Sequence, residues 1–371
     1  MTMRKITQLQ LFFLTLNYVY MSTVDDITKI LLREAEYSGW VSLIGGVLLG
    51  MPLIYAAYRL ARMLPNESLA EYGKRILPRF LHLPLMLFIL IYLLYNCAVQ
   101  MRHLSDLIML NYLSLTPDWV IVFILGFCIW YSVRAGIENM MRLIVWAAIL
   151  ACLTFFVYPP LIWREFELQE FSAFITNLQL KPAYAGSLKA AGYFGQLALI
   201  PLLAPYVKDY ARSFRTMAWG TACAGLIMLM ALLSYLCIFG PDLGAKLSSP
   251  GLEAFRLINL GDFIQNIDFF LMGIWTGSVL LNISLPLFLA TDLAAKLLRL
   301  KDAMPLYSGL TWFMCVLSLG MARSVAEFDL FLSRSWGAFS LTAESIPLLY
   351  FVVYWIKLRR RDVALKPANA S

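Results

Sequence analysis

Residues 187–207 read SLKAAGYFGQLALIPLLAPYV. A helix rises about 1.5 Å per residue, so roughly 20 apolar residues cross a bilayer, and this run is long enough. It also carries Gly192, Gly195, Pro201 and Pro205. Proline lacks the N–H that continues a helix, so the spacing predicts a span broken part-way through. Unwound backbone at membrane depth frees N–H and C=O groups that can hold a small ligand. The plainer reading is that Gly and Pro are common in membrane helices anyway.

The rest of the chain fits a membrane setting. Of 371 residues, 61% are hydrophobic and 14% charged, against about 25% charged in soluble proteins. Apolar runs fall at 6–27, 38–60, 83–110, 118–134, 141–160, 187–207, 214–240, 264–291, 303–321 and 335–356. They are continuous rather than alternating, which predicts helices and not a β-barrel. The expectation is an all-α membrane protein of ten transmembrane helices, with no room for a sizeable soluble domain. The first run is followed by Asp25 and Asp26 and has no small-residue cleavage pattern, so it reads as a retained span. Six cysteines lie in apolar runs without a CxxC pair and read as buried hydrophobes. Leu161–Leu180 reads as an interfacial helix. Short helices are also expected at Glu253–Leu260 and through Glu71 and Arg75, the latter capped by Asn66 or Ser68.

The net charge of +7 could suggest nucleic acid in a soluble protein. Here 20 of the 30 Lys and Arg residues fall in the terminal and alternate connecting segments. The positive-inside rule then makes them topological, places both termini in the cytoplasm and supports an even span count. Arg359, Arg360 and Arg361 can also hold anionic lipid headgroups. Ten spans divide into five plus five, and an odd-numbered unit followed by its copy is inverted in the membrane. That makes one transmembrane domain over 1–371, with repeats at about 6–160 and 187–356. Spans one and six are the expected broken pair.

Candidate ligand-binding residues follow from that pairing. Asn17, Tyr193 and Gln196 lie on the two expected breaks and offer polar contacts for a zwitterion, whose carboxylate suits the N-terminus of a half-helix. Glu344 lies within the last span. A carboxylate at that depth costs a few kcal/mol on insertion scales, so it either faces the bundle interior or sits in wet headgroups. Arg102 and Asp106 are spaced i, i+4 for a structural pair. Asp25 and Asp26 either mark the water boundary or attract an amine. Gly45, Gly46 and Gly50 read as helix packing, as do Gly273, Gly277 and Ser278. No hydrolytic or metal constellation and no phosphate loop appears, so neither an enzyme nor a cofactor is expected.

Four patterns together carry a resemblance. They are Arg134-Ala-Gly-Ile-Glu138 with Arg142, Gly195-Gln196 before Pro201 and Pro205, Arg256 through Asp268 before Trp275, and the ten-span layout. The chain resembles the spore germination permease-like family, the B subunits of nutrient germinant receptors and distant relatives of amino acid–polyamine–organocation transporters. Gln196 and Asn266 depart from its pattern, which carries a Glu and an Arg there. The resemblance implies a spore inner membrane or bacterial cell membrane location. It also implies an A subunit and a lipoprotein C subunit as partners, and a small nutrient such as an amino acid as ligand. The rival expectation on the same fold is a proton- or cation-coupled amino acid transporter acting alone, with Glu344 as coupling residue. A structural membrane partner with a vestigial pocket is the third.

Overall fold

A computed structural model describes residues 5–21, 24–63, 67–167, 170–258, 267–300 and 302–364. Among them the regular structure is helical, apart from one isolated parallel bridge between Ile6 and Val207. The α-helices in chain order are α1 (Gln8–Met21), α2 (Val24–Glu34), α3 (Gly39–Met63), α4 (Leu69–Ile76), α5 (Arg79–Asn111) and α6 (Asp118–Arg134). Then come α7 (Ile137–Ile162), α8 (Glu170–Thr176), α9 (Leu180–Phe194), α10 (Ile200–Leu203), α11 (Ser213–Gly244) and α12 (Pro250–Arg256). The last are α13 (Ile267–Leu298), α14 (Met304–Gly320), α15 (Val325–Phe331), α16 (Gly337–Glu344) and α17 (Ile346–Ala364).

Seven helical segments among the described residues are long and apolar enough to cross a membrane: Glu36–Met63, Arg79–Asn111, Ile137–Glu165, Leu180–Tyr206, Tyr210–Gly244, Asp268–Leu298 and Val325–Lys357. The other three expected spans fall on shorter helices, α1 with 14 residues and α6 and α14 with 17 each. At about 1.5 Å per residue, 14 residues reach only about 21 Å. The exposed surface matches a lipid setting. Leu48, Trp146, Phe127 and Phe270 are all well exposed, and such a display of large apolar groups is foreign to a water-facing surface. This is a multi-pass integral membrane protein with both a packed core and an apolar outer face.

Small residues set the closest helix contacts. A Cβ on Gly46 would overlap Ala190, and one on Gly50 would come within 3.0 Å of Phe194 Cβ, so α3 and α9 touch along their lengths. Gly45 likewise meets Ser187. Gly273 and Gly277 correct their expectation, for a Cβ at either meets nothing within 4 Å. They line an open apolar groove of about 480 Å³ between α13 and the α6–α7 pair instead of a helix contact. In α11, Gly240 takes a φ of 64° immediately before Pro241, which kinks the helix; a side chain is strained in that left-handed region.

The short helices differ from expectation in detail. At α4 the backbone N–H of Ser68 donates to Glu71 Oε2 at 2.8 Å, as in a capping box; Asn66 lies outside the described residues. α12 starts at Pro250, because Pro suits the first helical turn and Ser249 Oγ accepts from the Leu252 N–H at 3.3 Å. The expected end at Leu260 lies outside the described residues. α8 covers only seven residues of the expected 161–180 interfacial helix. Cys97, Cys237 and Cys315 are buried, but Cys128 is exposed and Cys152 and Cys223 are half-buried. Apolar positions that face lipid admit cysteine as readily as core positions do.

Candidate functional site

The predicted break is present. α9 stops at Phe194, residues 195–199 tighten into a 3-10 helix, α10 lasts four residues, and 204–206 tighten again. The tightening begins at Gly195 and recurs around Pro201 and Pro205, which bring no N–H of their own. Glu344 explains why the chain carries no side chain at 195. Its Oε2 occupies the space where a Cβ on Gly195 would go. Glu344 is fully buried at the end of α16, and the helix breaks at Ser345 before α17. Of its two expected positions, the bundle interior is the observed one.

Among the described residues no base pairs with the Glu344 carboxylate. Tyr92 Oη donates to its Oε1 at 3.1 Å. Behind Tyr92, Asn96 Nδ2 donates to Tyr92 Oη at 3.5 Å, and Gln100 Nε2 donates to Asn96 Oδ1 at 2.6 Å. Asn96 also hydrogen-bonds Tyr18 on α1. Tyr92, Asn96 and Gln100 are spaced i, i+4, i+8, so they share one face of α5. Trp336 stacks on Tyr92 with ring centroids 6.0 Å apart. Sequence reasoning missed this ladder, although three polar residues at helical spacing in an apolar run are its signal.

One turn beyond Gln100 the same face carries His103. Its Nδ1 lies 2.8 Å from Asp26 Oδ1 and its Nε2 lies 3.5 Å from Asp25 Oδ2. The break between α1 and α2 thus faces α5, and a polar face of about 16 Å joins the two acids to Glu344. Ser22 and Thr23 lie outside the described residues. Arg102 and Asp106 pair as expected, Nε to Oδ2 at 2.9 Å, with Asp118 a further 3.8 Å from the guanidinium. Gln100, His103, Asp25, Asp26 and Trp275 line a small cleft at this point.

The four predicted residues fall at three places. Gln196 and Glu344 meet at the 3-10 segment, through the contact of Glu344 with Gly195, whereas Tyr193, on the last turn of α9, is buried and feels the charge of Asp26. Asn17 is instead clasped to α13: its Nδ2 donates to Asn282 Oδ1 at 2.9 Å, and Asn282 Nδ2 donates to the Asn17 carbonyl at 3.0 Å. Each of the four keeps one buried oxygen without a hydrogen-bond partner among the described residues: Asn17 Oδ1, Tyr193 Oη, Gln196 Oε1 and Glu344 Oε2. Twelve other buried side-chain atoms of the described residues share that state, among them Tyr72 Oη, Gln100 Oε1 and Tyr210 Oη. No group of three or more His, Cys, Asp or Glu suited to a metal occurs among the described residues.

Two other sequence motifs are placed. In the Arg256–Asp268 stretch, Arg256 Nε lies 3.6 Å from Asp268 Oδ2, which also accepts from Tyr112 Oη at 3.2 Å. Burial and the Asp268 charge push the Tyr112 phenol up to about 12. Asn266 lies outside the described residues. Glu138 and Arg142 pair at 2.6 Å on an exposed surface. At the opposite end of the bundle, the Ile6 N–H donates to the Tyr206 carbonyl at 2.7 Å and the Lys208 N–H to the Ile6 carbonyl at 2.9 Å. The N-terminal segment therefore seals the broken span at that end.

The profile of one family, described as Spore germination protein, matches residues 5–324. Spore germination protein XB of Bacillus anthracis is 24% identical over 343 residues, covering 90% of this chain and 93% of that protein. Spore germination protein KB of Bacillus subtilis (strain 168) is 22% identical over 344 residues, covering 88% and 89%. Among solved structures, Mhp1, a nucleobase-cation-symport-1 family transporter in a closed conformation with bromovinylhydantoin bound, matches with a TM-score of 0.73 at 11% identity, over 97% of this chain and 80% of that one. A Na+-coupled sialic acid symporter in a substrate-bound outward-open state matches with a TM-score of 0.64 at 13% identity, over 92% and 78%. At such identities the likeness is one of fold.

Proposed function

Since the chain belongs to the spore germination protein family, we propose that it is the membrane-embedded, permease-like subunit of a nutrient germinant receptor, binding a small nutrient such as an amino acid at its broken helices. In this reading the chain forms one transmembrane domain of ten spans in an inverted five-plus-five arrangement. The α1–α2 pair makes the first span, α9 with α10 the sixth, and both termini face the cytoplasm. The partners are an A subunit and a lipoprotein C subunit in the spore inner membrane.

One observation carries the proposal: Gln196 Oε1 and Glu344 Oε2 are buried without a hydrogen-bond partner among the described residues, beside the 3-10 break at 195–199. A ligand amine needs acceptors, and Gln196 Oε1 and Glu344 Oε2 supply them beside an unwound backbone. The ligand carboxylate takes N–H groups freed at the 3-10 segment. Binding tighter to one arrangement of that segment than to another shifts the bundle toward it. The seal between Ile6 and Tyr206–Lys208 is the contact such a shift opens.

The test is thermal stabilisation of the full chain in nanodiscs across the common amino acids, sugars and nucleosides. A stabilising ligand that fails on Gln196→Ala supports the site, since a ligand of the native state alone raises its stability. A ligand that stabilises wild type and Gln196→Ala alike overturns it.

The second reading, a proton- or cation-coupled amino acid transporter, draws on the ladder from Glu344 through Tyr92, Asn96 and Gln100 to His103. An intramembrane carboxylate joined to a file of polar side chains is the usual makeup of a coupling path. Uptake into proteoliposomes driven by an imposed pH or cation gradient, and lost in Glu344→Gln, distinguishes it from a sensor.

A further inference from the structure

Arg134-Ala-Gly-Ile-Glu138 with Arg142 takes no part in the site at the broken helices. It forms the turn from α6 into α7, and the open groove beside α13 begins at that turn. Ala135 and Asn139 line the near end, Gly273 and Gly277 line the α13 wall, and about 480 Å³ is free between them. That is within the usual range for small-molecule sites. The groove shares no residue with the group at Gln196 and Glu344 and does not depend on it.

Its length is that of one leaflet. On α7 the lining runs from Asn139 to Leu150, and on α13 from Gly273 to Ser284, eleven positions apart on each helix. At about 1.5 Å per residue that is about 17 Å. The hydrocarbon core of a bilayer is about 30 Å thick, so one leaflet takes about 15 Å of it. The walls along this length are apolar, with Leu143, Trp146 and Leu281 among them. A Cβ on Gly273 or Gly277 would meet nothing within 4 Å, so the α13 wall is bare backbone there.

The mouth at the turn differs in character. Arg134 and Arg142 are exposed there, against the single carboxylate of Glu138, which Arg142 pairs at 2.6 Å. The Arg134 guanidinium rests 5.2 Å over the Trp130 ring, without an acidic partner among the described residues. Gly136, at a φ of 85°, precedes α7, and no side chain among the described residues caps that helix start. The first N–H groups of a helix favour an anion such as phosphate. Ser132, two residues before Arg134, lines the groove with its Oγ buried and unpaired among the described residues.

A free anion makes no use of the apolar length, and a plain hydrocarbon makes no use of the positive mouth. An amphiphile with an acidic head uses both, and basic pockets between membrane helices hold such headgroups. We propose that this groove is a binding site for one anionic phospholipid. An acyl chain lies along Trp146 and Gly277, and the phosphate sits at the α6–α7 turn with Arg134 and Arg142. An ester carbonyl accepts from Ser132 Oγ. Two arginines against one glutamate favour a net negative headgroup over a zwitterionic one.

The experiment counts lipids retained by the full chain in detergent micelles, by native mass spectrometry, as phosphatidylglycerol or phosphatidylcholine is added. Wild type is compared with Gly277→Leu, Gly273→Leu, Arg134→Gln/Arg142→Gln and Arg359→Gln/Arg360→Gln/Arg361→Gln. Wild type retains one phosphatidylglycerol at a concentration about ten-fold below that needed for phosphatidylcholine. Gly277→Leu fills the groove and loses that lipid, and Gly273→Leu serves if Gly277→Leu does not unfold cooperatively. Arg134→Gln/Arg142→Gln retains the two lipids about equally. The triple variant at 359–361 keeps the wild-type preference. Equal retention of both lipids by wild type, a phosphatidylglycerol still held by the folded leucine variant, or an undiminished preference in Arg134→Gln/Arg142→Gln overturns the proposal. Loss of the preference in the 359–361 variant alone assigns the lipid to the C-terminal arginines and equally overturns it.

Discussion

Glu344 Oε2 stands where a Cβ on Gly195 would have to stand. The two residues are distant in sequence, and each restricts the other. Alanine at 195 must push the carboxylate aside or bend the 3-10 segment, and overpacking of this kind costs about 1–3 kcal/mol. Truncating Glu344 makes room. Gly195→Ala is therefore expected to be destabilised, and Gly195→Ala/Glu344→Ala to be more stable than the sum of its singles. Unfolding temperatures of the four proteins in nanodiscs check this, and strict additivity would dismiss the contact.

Among the described residues, Tyr92 is the side chain that donates to Glu344. In Tyr92→Phe the carboxylate loses its donor and the stacking partner of Trp336 stays. A loss of about 1–3 kcal/mol is expected, the penalty of a buried acceptor left unpaired. Glu344→Gln keeps an oxygen for Tyr92, so it is expected to fold with a smaller loss than Glu344→Leu. Chemical denaturation or thermal melting of the three variants ranks them, and a neutral Tyr92→Phe would contradict the assigned bond.

Asn17 and Asn282 clasp α1 to α13 with two hydrogen bonds, one to a side chain and one to backbone. Asn17→Ala removes only the first, because Asn282 Nδ2 still reaches the Asn17 carbonyl. Interhelical hydrogen bonds in membranes average about 0.6 kcal/mol and reach about 1.7. A double-mutant cycle over Asn17→Ala and Asn282→Ala should return a coupling in that range. A coupling of zero would contradict the Asn17–Asn282 side-chain bond.

Sequence and structure agree best where backbone chemistry decides. Gly195, Pro201 and Pro205 announce the broken span because their effect is local and independent of neighbours. Arg102 and Asp106 pair because i, i+4 spacing suffices. The cluster of His103 with Asp25 and Asp26 was illegible, since it joins α5 to the start of α2 and no spacing rule links them. Asn17 was placed on the right helix, but its partner Asn282 lies 265 positions away. Span number is settled only in part, at seven membrane-length segments among the described residues, because hydropathy counts an apolar run whether its helix is whole or divided: the run at 6–27 is split between α1 and α2, and α6 and α14 have 17 residues each.

The glycines separate in the same way, and they allow a clean comparison. In sequence, Gly46 and Gly50 on α3 and Gly273 and Gly277 on α13 share one small-xxx-small spacing. In the fold, Gly46 lies on Ala190 of α9, whereas a Cβ at Gly277 meets nothing within 4 Å. Gly46→Val must separate α3 from α9 and is expected to cost several kcal/mol or prevent folding. Gly277→Val adds an apolar side chain to an open groove and removes backbone freedom from the unfolded chain, so it is expected to be neutral or slightly stabilising. The yield of monodisperse protein and the unfolding temperature of each variant give the answer. A Gly277→Val variant as damaged as Gly46→Val would mean that α13 packs against something at that groove.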